Sequence, residues 1–341
     1  MRVPGPILEA EFLRRLNRFA AEVVVEGRRG RAHLPNPSKL TELFKPGARI
    51  LVTTAPRENR KTTYTIFGVY DGDLLVGIDS RFPNRLFAEA LEAGRLAEFS
   101  GYHISKREVR FGNARFDFLL ERPGDRALVE VKSCSLVLDG VALFPDVPTE
   151  RGLRHILKLI DAVRAGYRAY VVWVVQRPDA KYLRPYREVH PEIEDALREA
   201  LGSGVQLLAY TARLSGSEMQ LTGRIPVKVQ SGAEARKAAR FLHEALGLDP
   251  EIATVYTDLL VRGTMSRGEV EAQAAGGVRS LLQLGMVIVD PSDQERLMPI
   301  HPRLAVTNIV RILRLNPPRR DVERAVALLT GLYSGWERAH E

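Results

Sequence analysis

The sequence offers a single cysteine in 341 residues. A lone Cys134 can close no intramolecular disulfide and build no cysteine-rich zinc site, so the fold must be held by burial rather than by cross-links. The seven histidines contain no H-x-x-x-H pair, which removes the usual helical zinc pattern. No stretch reaches 18 uninterrupted apolar residues; the longest run, AYVVWVVQ, has the length of a buried strand and not of a membrane helix. The N-terminal MRVPGPILEAEFLRRL places acids and arginines where a secretory signal needs an apolar segment. A cytoplasmic protein without a membrane partner is the expectation. Internal repeats and low-complexity tracts are also missing.

What is present is an ordinary globular balance, 45% hydrophobic and 27% charged, with a net charge of +8. The basic excess is densest in the first 80 residues, which favours polyanionic partners. Three domains are expected, at 1–82, 83–227 and 228–341. In the first, RFAAEVVVEG, ARILVTTAP, TTYTIFGVYDG and DLLVGIDS read as short strands between Pro, Gly and Asn turns. They suit a small OB-like barrel, with the basic segments GRRGR and RENRK at strand edges where a nucleic acid would meet them. In the second, RLFAEALEAGRLAE reads as a helix, followed by the strands EVRFG, ARFDFLLE, ALVEVKSC, LVL and VAL. A long amphipathic helix, ERGLRHILKLIDAVRAG, follows with Thr149 as N-cap. Its apolar stripe is assigned to Leu153, Ile156, Leu157, Ile160 and Val163, and its basic side to Arg151, Arg154, His155 and Lys158. AYVVWVVQ is then a strand buried on both faces, and PEIEDALREALGSG and VQLLAYTA complete an α/β unit.

The segment RALVEVKS sets Glu130 and Lys132 two residues apart in an apolar strand, hence on one face. If the RPGD turn pairs Arg122 with Asp125, Asp117 falls directly opposite Glu130 on that same face. A register shift of two keeps the three groups together, whereas a one-residue bulge separates Asp117 from the others. Two carboxylates so close need a proton or a cation between them. Mg²⁺ or Mn²⁺, held by one or two carboxylates with a lysine beside its water, is the arrangement of metal-assisted phosphodiester hydrolysis. A solvated cross-strand ion pair is the bland alternative.

The residues FGNARFDFLLE, VEVKSCSLVLDGVALFPDVPTERGLRHI and VVWVVQRPDA resemble the sugar fermentation stimulation protein A (SfsA) family, whose members resemble PD-(D/E)xK nucleases. The earlier segments FLRRLNRFAAEV, HLPNPSKLTEL, KPGARILV, RKTTY, VGIDSRFPNRLFAEAL and GYHISKREVRFG match in the same order, so the resemblance spans roughly residues 10–212. It implies an OB-like barrel, a nuclease-type mixed-sheet α/β core, DNA as partner with RNA as a further candidate, and a metal site at Asp117, Glu130 and Lys132. Glu108 is the candidate for an additional acidic ligand. Lys39, Lys61, Asn84, Arg85, Arg115, Arg151 and His155 lie in matching segments as candidate nucleic-acid contacts, and Gln176 ends the buried strand near the same edge. The chain departs from the family after HLPN, where Pro37, Ser38 and Lys39 replace a small residue, glycine and arginine; Pro37 stiffens the turn and Lys39 supplies a point charge instead of a fork.

The last third lies outside that resemblance and is similar to the winged helix-turn-helix domains of TrmB-type sugar-responsive regulators. This rests on helix order, on the capping box SRGE and on the hairpin-like MVIVDPSDQERLMPIHP. The helix VRSLLQLGM offers few base-reading side chains, so a dimerisation role stands beside DNA reading, and a homodimer is one expected state. Two functions follow: a Mg²⁺- or Mn²⁺-dependent nuclease, or a DNA-binding regulator that keeps the nuclease-like fold with little turnover. Carbohydrate chemistry has no support in the residues.

Overall fold

The computed structural model describes residues 1–54, 62–229 and 232–333. They fall into two compact units, Met1–Val229 and Gln230–Glu341. The expected barrel and α/β core share the first unit, because apolar residues of each complete the interior of the other. Leu136 and Leu143 from the α/β part are buried among the barrel residues Val23, Ile50, Val52 and Ile66. Leu51 and Phe67 of the barrel are buried in turn with Phe87 and Phe118.

The barrel is made of β1 (Ile7–Asn17), β2 (Ala20–Val25), β3 (Arg28–His33), β4 (Ala48–Thr54), β5 (Tyr64–Asp71) and β6 (Leu74–Gly77). β1 pairs with β2 and β4, β2 with β3, and β5 with β4, while a short parallel pairing of β3 with β5 closes the ring. β1 was not foreseen, since ILEAEFLRRLN carries four charges among eleven residues. Its role is legible only once the register is known: Phe12 alone is fully buried, Glu9, Glu11 and Arg14 are exposed, and Arg15 turns in to the Ser38 carbonyl. GRRGR lies at the start of β3 rather than in a loop, and RENRK, with Lys61, lies outside the described residues.

A six-stranded mixed sheet follows, in the order β15-β14-β12-β9-β8-β7. Its members are β7 (His103–Phe111), β8 (Ala114–Arg122), β9 (Asp125–Cys134), β12 (Arg168–Val175), β14 (Gln206–Ser215) and β15 (Glu218–Ile225). β9, β12 and β14 run parallel, and their neighbours are antiparallel. The helix α1 (Phe82–Glu92) packs on one face, while α2 (Glu150–Arg164) and α3 (Pro191–Gly202) pack on the other. Strand alternation in β9 sends Ala127, Val129 and Val131 toward α1 and Leu128 toward α2. A small sheet of β10 (Val137–Leu138), β11 (Val141–Phe144) and β13 (Tyr182–Pro185) completes the unit. Cys134 is buried, and that burial pushes its thiol pKa up, so it is an unreactive core residue.

The buried side of α2 differs from the assigned stripe. Gly152, His155, Ile156, Leu159 and Ile160 are buried, whereas Leu157 is 39% exposed. The buried positions keep i, i+3, i+4, i+7 spacing, rotated so that His155 points into the protein.

In the second unit, α4 (Gly232–Leu246) and α5 (Pro250–Arg262) precede β16 (Met265–Ser266), α6 (Arg267–Gln273), α7 (Gly277–Gln283), β17 (Val287–Asp290) and β18 (Asp293–Pro299). The three strands form one antiparallel sheet with β18 in the middle, and α8 (Pro302–Ile312) and α9 (Arg319–Tyr333) follow. The capping box at α6 is complete: Ser266 Oγ accepts from the Glu269 N–H at 3.2 Å, and Glu269 accepts from the Ser266 N–H at 2.8 Å. These bonds hold the Glu269 carboxyl down at about 2. Ser266→Ala is expected to lower the stability of the protein by about 1 kcal/mol, measured by denaturant unfolding of the C-terminal transition. No described helix is long and apolar enough to cross a membrane.

Candidate metal centre and nucleic-acid interface

β8 and β9 pair from Arg122↔Asp125 to Phe118↔Val129, the register that the RPGD turn implies. The pairing ends there. Phe118 packs in the core under α1 but Phe116 packs in the core under α2, so β8 turns over at Asp117, between them. The Asp117 carboxylate then takes a place in the gap that the ladder leaves. Its Oδ2 accepts the Val131 N–H at 2.7 Å, and its Oδ1 accepts from Asn84 Nδ2 in the first turn of α1, also at 2.7 Å. A backbone irregularity is thus what aims Asp117, and it does not carry it away from its partners, as a simple bulge would.

Glu130 is 5% exposed, and one of its oxygens is heavily used. Oε1 accepts from Lys132 Nζ at 2.6 Å and lies 2.6 Å from His155 Nδ1. Oε2 is buried with no hydrogen-bond partner. A buried carboxylate oxygen left unmatched costs free energy unless a proton or cation meets it. Burial and the Glu130 charge push the Asp117 carboxyl up to about 6, against the pull of Val131, Asn84 and Lys132. Burial alone would raise Glu130 as well, but Lys132 and His155 outweigh it and hold its pKa below the usual carboxylate value. Two neighbouring carboxyls are therefore driven apart, the pattern of groups that share a charge-requiring site.

Among the described residues no three His, Cys, Asp or Glu side chains converge as a metal cage. The fit to a hard divalent cation rests on two carboxylates, which is the usual protein contribution for Mg²⁺, and on the open Glu130 Oε2. Glu108 does not join them. It sits in β7 between the pairs Arg107↔Phe118 and Val109↔Phe116, across from Asp117, with a left-handed φ of 56°. Its carboxylate is bound to Arg115 at 2.8 Å, and both side chains are more than half exposed.

The other candidate contacts separate into two groups. Lys39, Arg85 and Arg151 are exposed, with Arg85 Nη2 near the Arg2 carbonyl at 3.5 Å. Arg115 is exposed but engaged with Glu108. Of the other two, His155 is buried and Asn84 is half-buried, and each is bonded to an acid. Asn84 is a partner of Asp117, and His155, 5% exposed and edge-on to Phe116, is a partner of Glu130. The basic-face assignment failed for His155 because an imidazole fits a buried helix position when a carboxylate waits there.

Three further residues were given no part by the spacing of the motif. Gln176, fully buried, donates from Nε2 to Ser133 Oγ at 2.9 Å and to the Asp79 carbonyl at 3.1 Å. Its backbone carbonyl accepts from the Gly77 N–H, which ties the end of β12 to the end of β6. A Cβ at Gly77 would stand 3.0 Å from Gln176 Oε1 and 2.7 Å from Met219 Cε, so the two strand ends meet closely and a side chain there would have to displace both. Asp146 accepts from Ser38 Oγ at 2.7 Å across 108 residues of sequence. Its only sequence cue is its place in the FPD segment.

Comparison with known proteins agrees with this architecture. Residues 13–78 match the family model described as "SfsA N-terminal OB domain", and residues 81–218 match "Sugar fermentation stimulation protein RE domain". A sugar fermentation stimulation protein homolog of Caldanaerobacter subterraneus is 39% identical over 227 residues, covering 67% of this chain and 99% of the relative. A homolog from Chloroflexus aurantiacus is 43% identical over 232 residues, covering 67% of this chain and 89% of the relative. Among solved structures, Pyrococcus furiosus SfsA in complex with Ca²⁺ is 34% identical with a TM-score of 0.63, covering 67% of this chain and all of the other. The two family models leave the C-terminal unit unmatched.

Proposed function

The chain belongs to the sugar fermentation stimulation protein (SfsA) family, and from that membership and the geometry around Glu130 we propose that it is a divalent-metal-dependent nuclease acting on DNA. The observation that carries the reading is the buried Glu130 Oε2, left without a hydrogen-bond partner in a site that also holds Asp117, Lys132 and His155. Asp117 and Glu130 would hold the cation, and the family relative solved with Ca²⁺ supports a divalent one. When bound, Mg²⁺ or Mn²⁺ supplies a polarised phosphoryl oxygen and a more acidic water.

The remaining work falls to side chains. Lys132, 14% exposed beside Glu130, is placed to orient the attacking water and to offset charge that builds on the phosphate. Asn84 and His155 each hold one carboxylate in place, which leaves Glu130 Oε2 as the unpartnered oxygen of the pair. Glu108 is available as a third acid in the same row of the sheet, since its exposed pair with Arg115 is of the kind worth about 0–1 kcal/mol. Lys39, Arg85 and Arg151 are read as phosphate contacts, which position the backbone without reading its sequence.

Incubating the protein with single- and double-stranded DNA in Mg²⁺ or Mn²⁺ tests this directly. Wild type is expected to cut and Lys132→Ala to lose at least about 100-fold in rate while keeping its DNA affinity. If both proteins bind equally and neither cuts any substrate, the nuclease reading fails. The second reading, a regulator that binds without turnover, would then lead. The helix-strand-helix-helix-hairpin order from α5 to β18 favours it, because that is the order of a winged helix.

Metal affinity carries its own pH signature. Between pH 7 and pH 5 the Asp117 carboxyl, with its pKa near 6, goes mostly from charged to protonated. A cation must then displace that proton, so Mn²⁺ affinity is expected to fall about tenfold over this range, read by calorimetric titration. An affinity that does not change would remove Asp117 from the ligand set.

A further inference from the structure

Beside Lys132 lies a cleft of about 190 Å³ whose walls come from the barrel loop 36–38 and the core loop 144–149. We propose that this cleft holds one unpaired nucleotide adjoining the bond to be cut, which makes single-stranded DNA the substrate class. The inference rests on the nuclease reading for the identity of the bond, but the cleft has its own grounds.

Size is the first. Pockets for drug-sized ligands run about 300–1,000 Å³, so this one admits a base or a sugar-phosphate and no base pair. Polarity is the second. The hydroxyls of Ser38, Ser80 and Ser135 have already donated, to Asp146, to the Pro35 carbonyl and to the Gly77 carbonyl. They present only acceptors to the cleft, as the Asp146 carboxylate does. Ser133 is the opposite case: its Oγ accepts from Gln176, which leaves its own proton to give. Lys132 and Ser133 therefore supply donors, joined by Arg18 and by the Thr149 hydroxyl, which accepts from the Gly152 N–H and keeps its own proton to give, while the other serines and Asp146 supply acceptors; the lining can meet both a phosphate and a base amino group or sugar hydroxyl.

Rigidity is the third ground. Asn36 Nδ2 donates to the Ile78 carbonyl at 2.8 Å, the Ser38 N–H donates to Asn36 Oδ1 at 2.9 Å, and Arg15 donates to the Ser38 carbonyl. Across the cleft, Phe144 is 9% exposed and packs edge-on to Trp173 at 5.7 Å. Both walls are thus fixed before any ligand arrives, with Phe144, Pro145 and Pro148 as apolar surface for a base.

The test compares a short single-stranded oligonucleotide with a blunt-ended two-strand duplex, both bound in Ca²⁺ and read by fluorescence anisotropy. Val147 is half-buried on the cleft wall, so Val147→Trp fills the space without removing any of the hydrogen bonds above. The single strand is expected to bind about tenfold tighter than the duplex, and Val147→Trp to erase that margin while leaving duplex affinity unchanged, base contacts being of this order. Pro37→Trp fills the cleft from the barrel side and must give the same result, which guards against a folding defect in either variant. Equal binding of the two nucleic acids, or indifference to both substitutions, would overturn the proposal. Preference for the single strand with no cleavage in Mn²⁺ would sink the nuclease reading and leave the cleft standing. Cleavage that ignores strandedness and both substitutions would do the reverse.

Discussion

Asp117→Asn is expected to give a protein that is more stable at pH 7 and inactive. Burial and the neighbouring Glu130 charge push the Asp117 carboxyl up to about 6, above its ordinary value of 3.8. Ionising it in the native state therefore costs stability, and the cost is complete above pH 6. As pH falls from 6 toward 3.8 the native state binds more protons than the unfolded chain, and stability rises. Holding that charge in the folded state costs about 3 kcal/mol at pH 7, which an amide would recover. An asparagine can still accept the Val131 N–H, and Asn84 needs only to turn its amide to meet the new NH₂ group. The measurement is denaturant unfolding of wild type and Asp117→Asn at pH 7 and pH 4. The variant should lead at pH 7 and lose most of that lead at pH 4. Glu130 contributes with the opposite sign, since its lowered pKa gives stability that is present above its unfolded value and lost on acidification. Removing the neighbouring Asp117 charge holds Glu130 lower still, so in the variant this contribution adds to the lead at pH 7 and fades with it on acidification. A variant less stable than wild type at pH 7 would mean that the carboxylate is not strained.

His155→Phe has the second large effect. The imidazole is one of two partners of Glu130 Oε1, and it is buried. Its loss leaves a nearly buried carboxylate with Lys132 alone, at an expected cost of about 1–3 kcal/mol. It also draws Lys132 more firmly onto Glu130 and frees the carboxylate to rotate, so Mn²⁺ affinity is expected to fall about 10–100-fold. A phenyl ring keeps the edge-on packing with Phe116, which separates the hydrogen bond from the packing. Unchanged Mn²⁺ affinity in a folded His155→Phe protein would return His155 to a purely structural role.

These two residues also mark how far the sequence could be read. A two-residue turn and strand alternation are local rules, and they gave the register from Arg122↔Asp125 to Phe118↔Val129 but not a pairing of Asp117 with Glu130, because the ladder ends before it. The turn-over of β8 at Asp117 was not legible, since it shows only when Phe116 and Phe118 are found in different cores. His155 and Asn84 were noticed but given the wrong partners. A helix rotated by a fraction of a turn exchanges its buried and exposed sides, and only tertiary packing fixes that rotation. The cleft was beyond reach for a stronger reason: Ser38 meets Asp146 across 108 residues, and no spacing rule spans a barrel loop and a core loop. The strand β1 was missed because its charged residues hid the one fully buried position.

Whether Asp117 and Glu130 together hold a catalytic cation is read from anomalous difference density after Mn²⁺ is soaked into crystals of the wild-type protein. The expected result is a peak shared by an Asp117 carboxylate oxygen and Glu130 Oε2. A peak elsewhere, or none at a Mn²⁺ concentration that supports DNA cleavage, would contradict it.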